Sequence, residues 1–474
     1  MNHQVWRANG NDPRGIGGDQ ISMALSSWQL LYQYSGNEAV KDNMKFMADY
    51  YLTHSLSSEK AVWANIPYPF NTMLYSGIFD GDMVIGKGYT QPDKSGSFGW
   101  ELLKLYKLIH SYRFQHATEG VYLDYAIKIA NTLAQKTQQG DENNSPLPFK
   151  VSAENGQIGM LKSNKGTGEA DAQSTYTTNW SATLNLFEAL IEMNKGNTVE
   201  YQKAHKLILN WMKNYPLKTN KWGPFFEDVP GWSDTQINAV TFAKYIMDHR
   251  ENFPNWKTDV KGVFDWVYKK LGNTQWANYG AIVVNEQTAY SVQGNSHSSR
   301  QAAAELLYSS LSGDTSYKQN AIRVLNWCTY TVDNDGKNCY PQDEVWLTDS
   351  YGDYIRHYLV AMAANPELAP SNANHILSSS SIIGQADYAP NFNVRLPKEV
   401  SNEEEKSGIK IYYRTYDKRA KETIRMISKP AKVIVDWVEI KESNSPEKLG
   451  WHWKPMKKGG LLTIYHEGYE VKVF

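Results

Sequence analysis

The chain has 474 residues, and its 49 basic and 50 acidic side chains give a formal net charge of −1. This balance disfavours a nucleic-acid binder that depends on neutralising phosphates. No apolar run approaches the roughly 18 residues that a membrane-spanning helix needs. Two cysteines, Cys328 and Cys339, are too few for a disulfide framework or a cysteine-based zinc site. A single disulfide and two free thiols both remain possible interpretations.

Helical periodicity begins near residue 19 and continues to about residue 364, and the helices come in pairs. Three pairs are separated by a short turn in which glycine precedes Asn or Asp, which is typical of a helix end followed by a new helix start. These turns contain Gly36, Gly196 and Gly313. The first helix of each pair is predicted at Gln20–Tyr34, Gly99–Tyr112, Thr178–Asn194, Thr235–Arg250, Ser298–Ser312 and Gly352–Ala364. The second helices are predicted at Val40–His54, Tyr122–Lys136, Glu200–Tyr215, Thr258–Leu271 and Tyr317–Val332.

The two sets of helices differ in how their charges are arranged. Several first helices are apolar on most sides, as in Gln301–Leu311, whereas the second helices carry charge on one face, as in Glu200–Lys213. A helix that is apolar all round is buried, and one with a charged face borders water. The first helices are therefore predicted to form an inner ring and the second helices an outer ring.

The composition changes after Ala369. Residues 370–390 are rich in Ser and Asn, which predicts a linker. The segments that follow are rich in β-branched residues and alternate in polarity, which predicts strands. These predicted strands are Ile409–Tyr413, Glu422–Ile427, Ala431–Ile440 and Leu461–Phe474.

Six inner and five outer helices resemble the (α/α)6 toroid of six-hairpin glycosidases and related carbohydrate-active enzymes. The resemblance implies a mainly α catalytic barrel over residues 1–369, and the helix count implies that one outer helix is absent. The change in composition adds a linker over 370–390 and a small antiparallel β domain over 391–474. It also implies that the substrate cleft lies where the inner helices begin. The sequence has 16 Trp and 31 Tyr, whose flat faces suit stacking on sugar rings, although a large helical core could also use them.

The predicted starts of the inner helices are polar and aromatic. Many of these polar residues could serve only as helix caps, but caps need a short oxygen acceptor rather than an aromatic ring or a guanidinium. We therefore expect a substrate-binding set at these positions. It consists of Asp19, Trp100, Asn179, Trp180, Trp232, Gln236, Asn295, Arg300 and Tyr351.

Glycoside hydrolysis needs two carboxyl groups, one protonated and one ionised. Asp234, Asp349 and Asp353 are the candidates for this pair. Asp349 and Asp353 are one helical turn apart and would share a face if both are helical. The structural alternative is that Asp349 caps the helix and Asp353 lies in its first turn. Two acidic residues in neighbouring loops are reserves: Glu286 and Glu344.

The segment from Asn295 to Arg300 favours a second chemistry. A polysaccharide lyase removes a proton beside a uronate carboxylate, and this reaction needs a base and a cationic partner for the enolate. His297 or Tyr351 could act as the base, and Arg300 could bind the carboxylate. His297 could equally be a hydrogen-bonded histidine with no chemical role.

The sequence therefore predicts a glycoside hydrolase that acts on a poly- or oligosaccharide, including one that contains uronic acid. The alternatives are a polysaccharide lyase, a sugar epimerase and a non-catalytic glycan-binding protein. Neither a metal nor a cofactor is expected, and the expected partner is a carbohydrate rather than nucleic acid. We expect an extracytoplasmic protein, although Met1–Gly10 does not have the pattern of a signal peptide.

Overall fold

The structure is a computed structural model that describes residues 20–69, 79–82, 84–111, 120–161, 172–226, 231–332, 334, 353–389 and 408–474. By their contacts, the described residues form two compact units. The first draws on residues 1–25, 46–103 and 123–357, and the second on residues 26–45, 104–122 and 358–474. The second unit therefore contains parts of two helical segments as well as the C-terminal strands.

The α-helices of the described residues follow the predicted order closely. They are α1 Gln20–Ser35, α2 Glu38–Ser55, α3 Pro92–His110, α4 Val121–Lys136, α5 Ser181–Glu192, α6 Thr198–Asn214, α7 Pro216–Thr219, α8 Gln236–Asp248, α9 Trp256–Leu271, α10 Asn295–Ser312, α11 Lys318–Thr329 and α12 Asp353–Ala364. Helix α5 packs against α6, α8 against α9, and α10 against α11, and α8 also contacts α10. None of the described helices is long and apolar enough to cross a membrane.

The predicted difference between first and second helices is confirmed by their burial. In α10, 14 of 18 residues are buried, whereas in its neighbour α9 only 5 of 16 are buried. The three glycines predicted to end helices also have the left-handed backbone that this role requires, with φ of 64° at Gly36, 69° at Gly196 and 79° at Gly313. A side chain at Gly36 would in addition collide with the carbonyl oxygen of Ala386.

One helix begins much earlier than predicted. We expected α3 to start at Gly99, but it starts at Pro92. Proline suits the first helical position, since it has no N–H to leave unpaired. Gly96 and Gly99 lie within the helix at close contacts: a Cβ on Gly96 would meet the Thr183 hydroxyl of α5, and one on Gly99 would meet Leu186. They therefore allow α3 to approach α5.

The strands fall into short pairs and two larger antiparallel sheets. The two-residue strands are β1 Gly81–Asp82, β2 Gly86–Lys87, β3 Tyr89–Thr90, β4 Val151–Ser152, β5 Met160–Leu161, β6 Ala172–Gln173, β7 Gly272–Asn273 and β8 Val283–Val284. The longer group is β9 His375–Ser379, β10 Ile383–Tyr388, β11 Ile411–Thr415, β12 Arg419–Met426, β13 Val433–Val435, β14 Val438–Ile440, β15 Gly450–Pro455, β16 Gly460–Glu467 and β17 Glu470–Val473. One sheet has the order β10-β11-β17-β13-β14 and the other β15-β16-β12-β9.

The C-terminal β region is confirmed, and the two larger sheets share one hydrophobic core. This core contains Ile383 and Val471 from the five-stranded sheet and Ile376, Ile424 and Leu462 from the four-stranded sheet. The prediction that residues 370–390 form a linker is wrong, because this segment contains β9 and β10, one strand in each sheet. Its serines obscured the pattern, since buried Ile376 and Leu377 are followed by half-buried Ser378 and Ser379 and exposed Ser380.

Candidate active site

The first turns of α10 place three polar side chains in the interior of the first unit. His297, Arg300 and Gln301 are 4%, 7% and 1% exposed. His297 and Arg300 are three residues apart and therefore lie on one side of the helix. Burial of a guanidinium and an imidazole is costly unless both find polar partners, so these residues mark a polar region inside a helical core.

A directed series of hydrogen bonds connects α10 with α8. The Arg300 guanidinium Nη1 donates to Oε1 of Gln236 at 3.0 Å. The Gln236 amide Nε2 donates to Oε1 of Gln301 at 3.3 Å, and Gln301 Nε2 donates to Oε1 of Glu305 at 2.9 Å. A guanidinium can only donate, so Arg300 fixes the orientation of the Gln236 amide, which in turn fixes that of Gln301. The structure thus places Gln236 and Arg300, two members of the predicted substrate-binding set, in direct contact.

Glu305 ends this series and is fully buried. Burial raises the pKa of its carboxyl from 4.5 to about 7, although hydrogen bonds from Tyr268 and Gln301 lower it in part. Desolvation disfavours the charged carboxylate, and this is the dominant effect here. Glu305 can therefore gain or lose a proton near neutral pH. Burial raises the pKa of its partner Tyr268 as well, so that the phenol remains protonated and donates.

A second polar group lies at the start of α3. The Lys94 ammonium is 2.9 Å from Oδ2 of Asp93 and donates to the carbonyl oxygen of Phe225 at 2.7 Å. The predicted site residue Asn179 donates to the same Asp93 oxygen at 2.9 Å. The Phe225 ring packs with Ile237, the residue after Gln236, and Lys94 Nζ lies 3.3 Å from the centre of that ring. This contact brings the α3 group next to the start of α8.

Asp234, a predicted catalytic carboxylate, holds the turn before α8. Its Oδ1 accepts from the backbone N–H groups of Trp222 and Gly223 at 2.8 and 2.9 Å. Its Oδ2 accepts from the indole N–H of Trp232 at 3.2 Å. With three N–H donors at its two oxygens, the Asp234 carboxylate is a hydrogen-bond acceptor at this turn.

The three predicted tryptophans have different environments. Trp180 is fully buried, and its indole donates to the Thr177 carbonyl oxygen at 2.8 Å. The prediction that it stacks on a sugar is therefore wrong, because its ring faces are occupied by the core. Trp232 is 47% exposed, with Tyr176 at 5.1 Å between ring centres. Trp100 is half-buried in the third turn of α3, and both remain candidates for sugar contact.

Asn295 has a structural role that sequence reasoning did not anticipate. Its amide Nδ2 donates to the Cys328 carbonyl oxygen at 2.7 Å and to the Thr331 hydroxyl at 2.8 Å. It therefore joins the start of α10 to the end of α11, and we no longer assign it to the substrate. Glu286, held in reserve, accepts from the Gln287 amide at 2.8 Å, and its backbone oxygen accepts from the N–H of Gln236.

Several predicted residues lie outside the described residues. These are Asp19, Asp349, Tyr351, Glu344 and Cys339. Asp353 is the first residue of α12, but its side chain is likewise not described. Among the residues that are described, no group of three or more His, Cys, Asp or Glu side chains is arranged to hold a metal ion.

Sequence reasoning missed four residues of the polar interior. Asp93 and Lys94 follow Pro92, and a helix start at that proline would have drawn attention to them. Glu305 lies in a stretch that otherwise consists of small and apolar residues, and a single acid there is a signal of a buried hydrogen-bond partner. His357 is 7% exposed in the second turn of α12.

No protein-family model matches the sequence, and no curated protein matches it either. Solved structures are similar in fold. The cellobiose 2-epimerase from Spirochaeta thermophila is 12% identical, with a TM-score of 0.55 over 76% of this chain and 88% of the epimerase. A cellobiose 2-epimerase from Bacillus thermoamylovorans is 12% identical, with a TM-score of 0.52 over 74% and 88%. A sugar epimerase from a ruminal bacterium is 13% identical, with a TM-score of 0.51 over 74% and 87%.

At this level of identity the similarity concerns the fold alone. The neighbours are (α/α)6 toroids from carbohydrate-active enzymes, and the helix order and the buried first helices described above agree with that architecture. Over about three quarters of its length, the chain is therefore similar in fold to these sugar epimerases.

Proposed function

We propose that the chain is a carbohydrate-active enzyme that uses acid–base catalysis where α3, α5, α8, α10 and α12 begin. One observation carries the proposal: the hydrogen-bonded series from Arg300 through Gln236 and Gln301 to Glu305, buried inside a fold that sugar epimerases share. A helical core that only had to be stable would place apolar side chains there, since buried polar groups give little net stability. Guanidinium and amide groups suit a ligand rich in hydroxyls.

Glycoside hydrolysis is the reaction that the sequence favours. It requires one carboxylic acid that protonates the departing glycosidic oxygen and one carboxylate that activates water or attacks the sugar carbon. Asp234 accepts hydrogen bonds from three N–H groups, and in this proposal it is the carboxylate that activates water or attacks the sugar carbon. The proton donor is then Asp349 or Asp353. Trp232, at the same turn as Asp234, supplies an exposed ring for stacking.

Epimerisation is the second candidate, and the two buried histidines favour it. His297 and His357 lie in the first two turns of α10 and α12, and imidazole can exchange a proton near neutral pH. One histidine would remove the proton from the carbon beside a sugar carbonyl, and the other would return a proton to the opposite face. A lyase reaction would use His297 or Tyr351 as the base, and Arg300 would bind the uronate carboxylate. The product analysis described next tests this reaction as well.

The experiment is product analysis in deuterium oxide. Purified chain is incubated with neutral and uronate-containing oligosaccharides, and the products are followed by NMR, mass spectrometry and ultraviolet absorbance. Hydrolysis gives new reducing ends, epimerisation gives an intact chain with deuterium at the inverted carbon, and elimination gives an absorbing unsaturated uronate. Binding without any of these products would make the chain a glycan-binding protein. Absence of both binding and turnover would contradict the proposal.

Two variants locate the activity. Arg300→Met removes the buried guanidinium, and Arg323→Met removes an exposed one from α11 as a matched control. We expect the first to reduce turnover by at least tenfold while the second leaves turnover unchanged. Thermal unfolding of both variants separates loss of function from loss of fold.

A further inference from the structure

The hairpin that joins β13 to β14 has an unusual turn. Val435 pairs with Val438, so the turn consists of only two residues, Asp436 and Trp437. Both have positive φ angles, 42° and 74°. Two-residue hairpin turns of this kind strongly favour Asn and Gly, because side chains are strained in the left-handed region. A tryptophan with positive φ is therefore a conformational outlier.

Hydrogen bonds to the Asp436 side chain offset the backbone strain at that residue. Among the described residues, no hydrogen bond does the same for Trp437. The Asp436 carboxylate accepts from the backbone N–H groups of Tyr469 and Glu470 at 3.1 and 2.9 Å. The side chain of Trp437 is 60% exposed, and no hydrogen bond to its indole is present among the described residues. Strain that the fold itself does not need is often retained for a function.

A buried lysine fixes the orientation of the exposed ring. Lys472 Nζ lies 4.1 Å from the centre of the Trp437 ring, and the Lys472 side chain is only 6% exposed. The ammonium also pairs with Glu470 at 3.4 Å. One face of the indole thus rests on a fixed cation, which leaves the opposite face as the part that meets water.

We propose that Trp437 is a glycan-binding platform on the C-terminal β region, separate from the site at the helix starts. A flat, oriented and exposed indole offers a surface on which one sugar ring can stack. The surface area of the Trp437 ring favours a sugar over a protein partner. One aromatic side chain offers about 200 Å², whereas a stable protein interface buries roughly 800 Å² on each side. The choice of a glycan rests on the proposed function, and the platform would hold a polysaccharide chain that is longer than the part being processed.

The test is electrophoresis of the full chain through native gels that contain soluble xylan, mannan, starch or polygalacturonate. Wild type should be retarded by at least one of these polysaccharides. Trp437→Gly removes the ring and also suits the turn, so we expect its retardation to fall at least tenfold while its unfolding temperature stays equal or rises. Trp437→Tyr should keep much of the retardation. Val438→Ala alters the next residue, which is 64% exposed, and should change nothing.

Turnover of di- and trisaccharides separates this proposal from the proposed function. Trp437 is not among the residues of the proposed acid–base site, so Trp437→Gly should process these substrates within twofold of wild type. Unchanged retardation of Trp437→Gly, or no retardation of wild type by any of the four polysaccharides, would overturn the platform whatever the turnover shows. A lower unfolding temperature for Trp437→Gly would show that the ring is structural. A shift of Trp437→Gly from dimer to monomer in size-exclusion chromatography would show that it contacts a second copy of the chain, and this too would overturn the proposal.

Discussion

Replacing Glu188 by glutamine should destabilise the first unit in a strongly pH-dependent way. Glu188 lies on α5 and accepts three side-chain hydrogen bonds: from His205 of α6 at 2.7 Å, from Tyr245 of α8 at 2.5 Å, and from His249 at 2.9 Å. The carboxylate therefore joins three helical segments. Glutamine keeps its size but loses the charge and one acceptor atom.

The pKa shifts define the pH range of the effect. Partial burial opposes ionisation of Glu188, but the bonds from His205, His249 and Tyr245 outweigh it and lower its pKa from 4.5 to about 2. Burial alone would lower the pKa of His249, yet the hydrogen bond and charge of Glu188 raise it above 6.5. The depressed pKa of Glu188 contributes stability above about pH 4.5, which is lost as the pH falls towards 2. The raised pKa of His249 contributes stability below pH 6.5, which is lost as the pH rises through that raised value.

The contribution is therefore largest between about pH 4.5 and 6.5. A shift of about 2.5 pH units corresponds to about 3 kcal/mol, and the Glu188 side chain is 29% exposed, so solvent screening reduces this to about 2 kcal/mol. At pH 5.5, Glu188→Gln should lower the unfolding temperature of a unit of this size by roughly 3 °C. At pH 3 the loss should fall below about 1 kcal/mol, because protonation begins to remove the same interaction from wild type.

The assay is thermal and urea unfolding from pH 3 to pH 9, followed by circular dichroism. Glu192→Gln is the matched control, since it removes the same charge one helical turn later from an exposed side chain of α5. We expect the control to remain within about 0.5 kcal/mol of wild type at every pH. An equal loss for Glu188→Gln at pH 3, 5.5 and 9 would refute the electrostatic explanation.

Three further predictions concern the candidate active site. Asn295→Ala removes two buried hydrogen bonds and should cost about 2 kcal/mol in urea unfolding, and a loss below about 0.5 kcal/mol would show that α10 is not anchored there. Glu305→Gln removes a carboxyl whose raised pKa destabilises the fold progressively as the pH rises from about 4.5 to about 7, so the stability of this variant relative to wild type should increase between pH 5 and pH 7 and then level off. A constant difference across that range would show that Glu305 does not titrate there. Asp349→Asn should reduce turnover by roughly a hundredfold with little change in unfolding temperature if Asp349 is catalytic, whereas normal turnover would identify it as a helix cap, since Asn caps equally well.

The helix pairs could be predicted from sequence because local signals determine them. The apolar spacing of α1 and α10 and the glycines at positions 36, 196 and 313 act within a few residues of one another. The start of α3 could not be predicted in this way, because Gly96 is required by a contact with Thr183 on another helix. Strands β9 and β10 were missed for a similar reason: their partners β12 and β11 lie some 25 residues or more further along the chain.

The candidate site likewise combines features that local sequence determines with features that depend on contacts between distant residues. The presence of buried polar side chains at the helix starts could be predicted, since polar and aromatic residues cluster there in the sequence. The role of each residue could not be predicted. The burial of Trp180 and the hydrogen bonds of Asn295 depend on neighbours that only the fold brings close. The series from Arg300 to Glu305 depends on Gln236, which lies 64 residues before Arg300, and only the fold brings the two together.

The most direct test is a crystal structure of the chain soaked with a mixed pool of neutral and uronate-containing oligosaccharides. We predict a sugar where α8 and α10 begin, with a hydroxyl or carboxylate oxygen within about 3.5 Å of the Arg300 guanidinium. Sugar bound only at other places, with Arg300 making no contact to it in a preparation that processes the same pool, would contradict the proposed function.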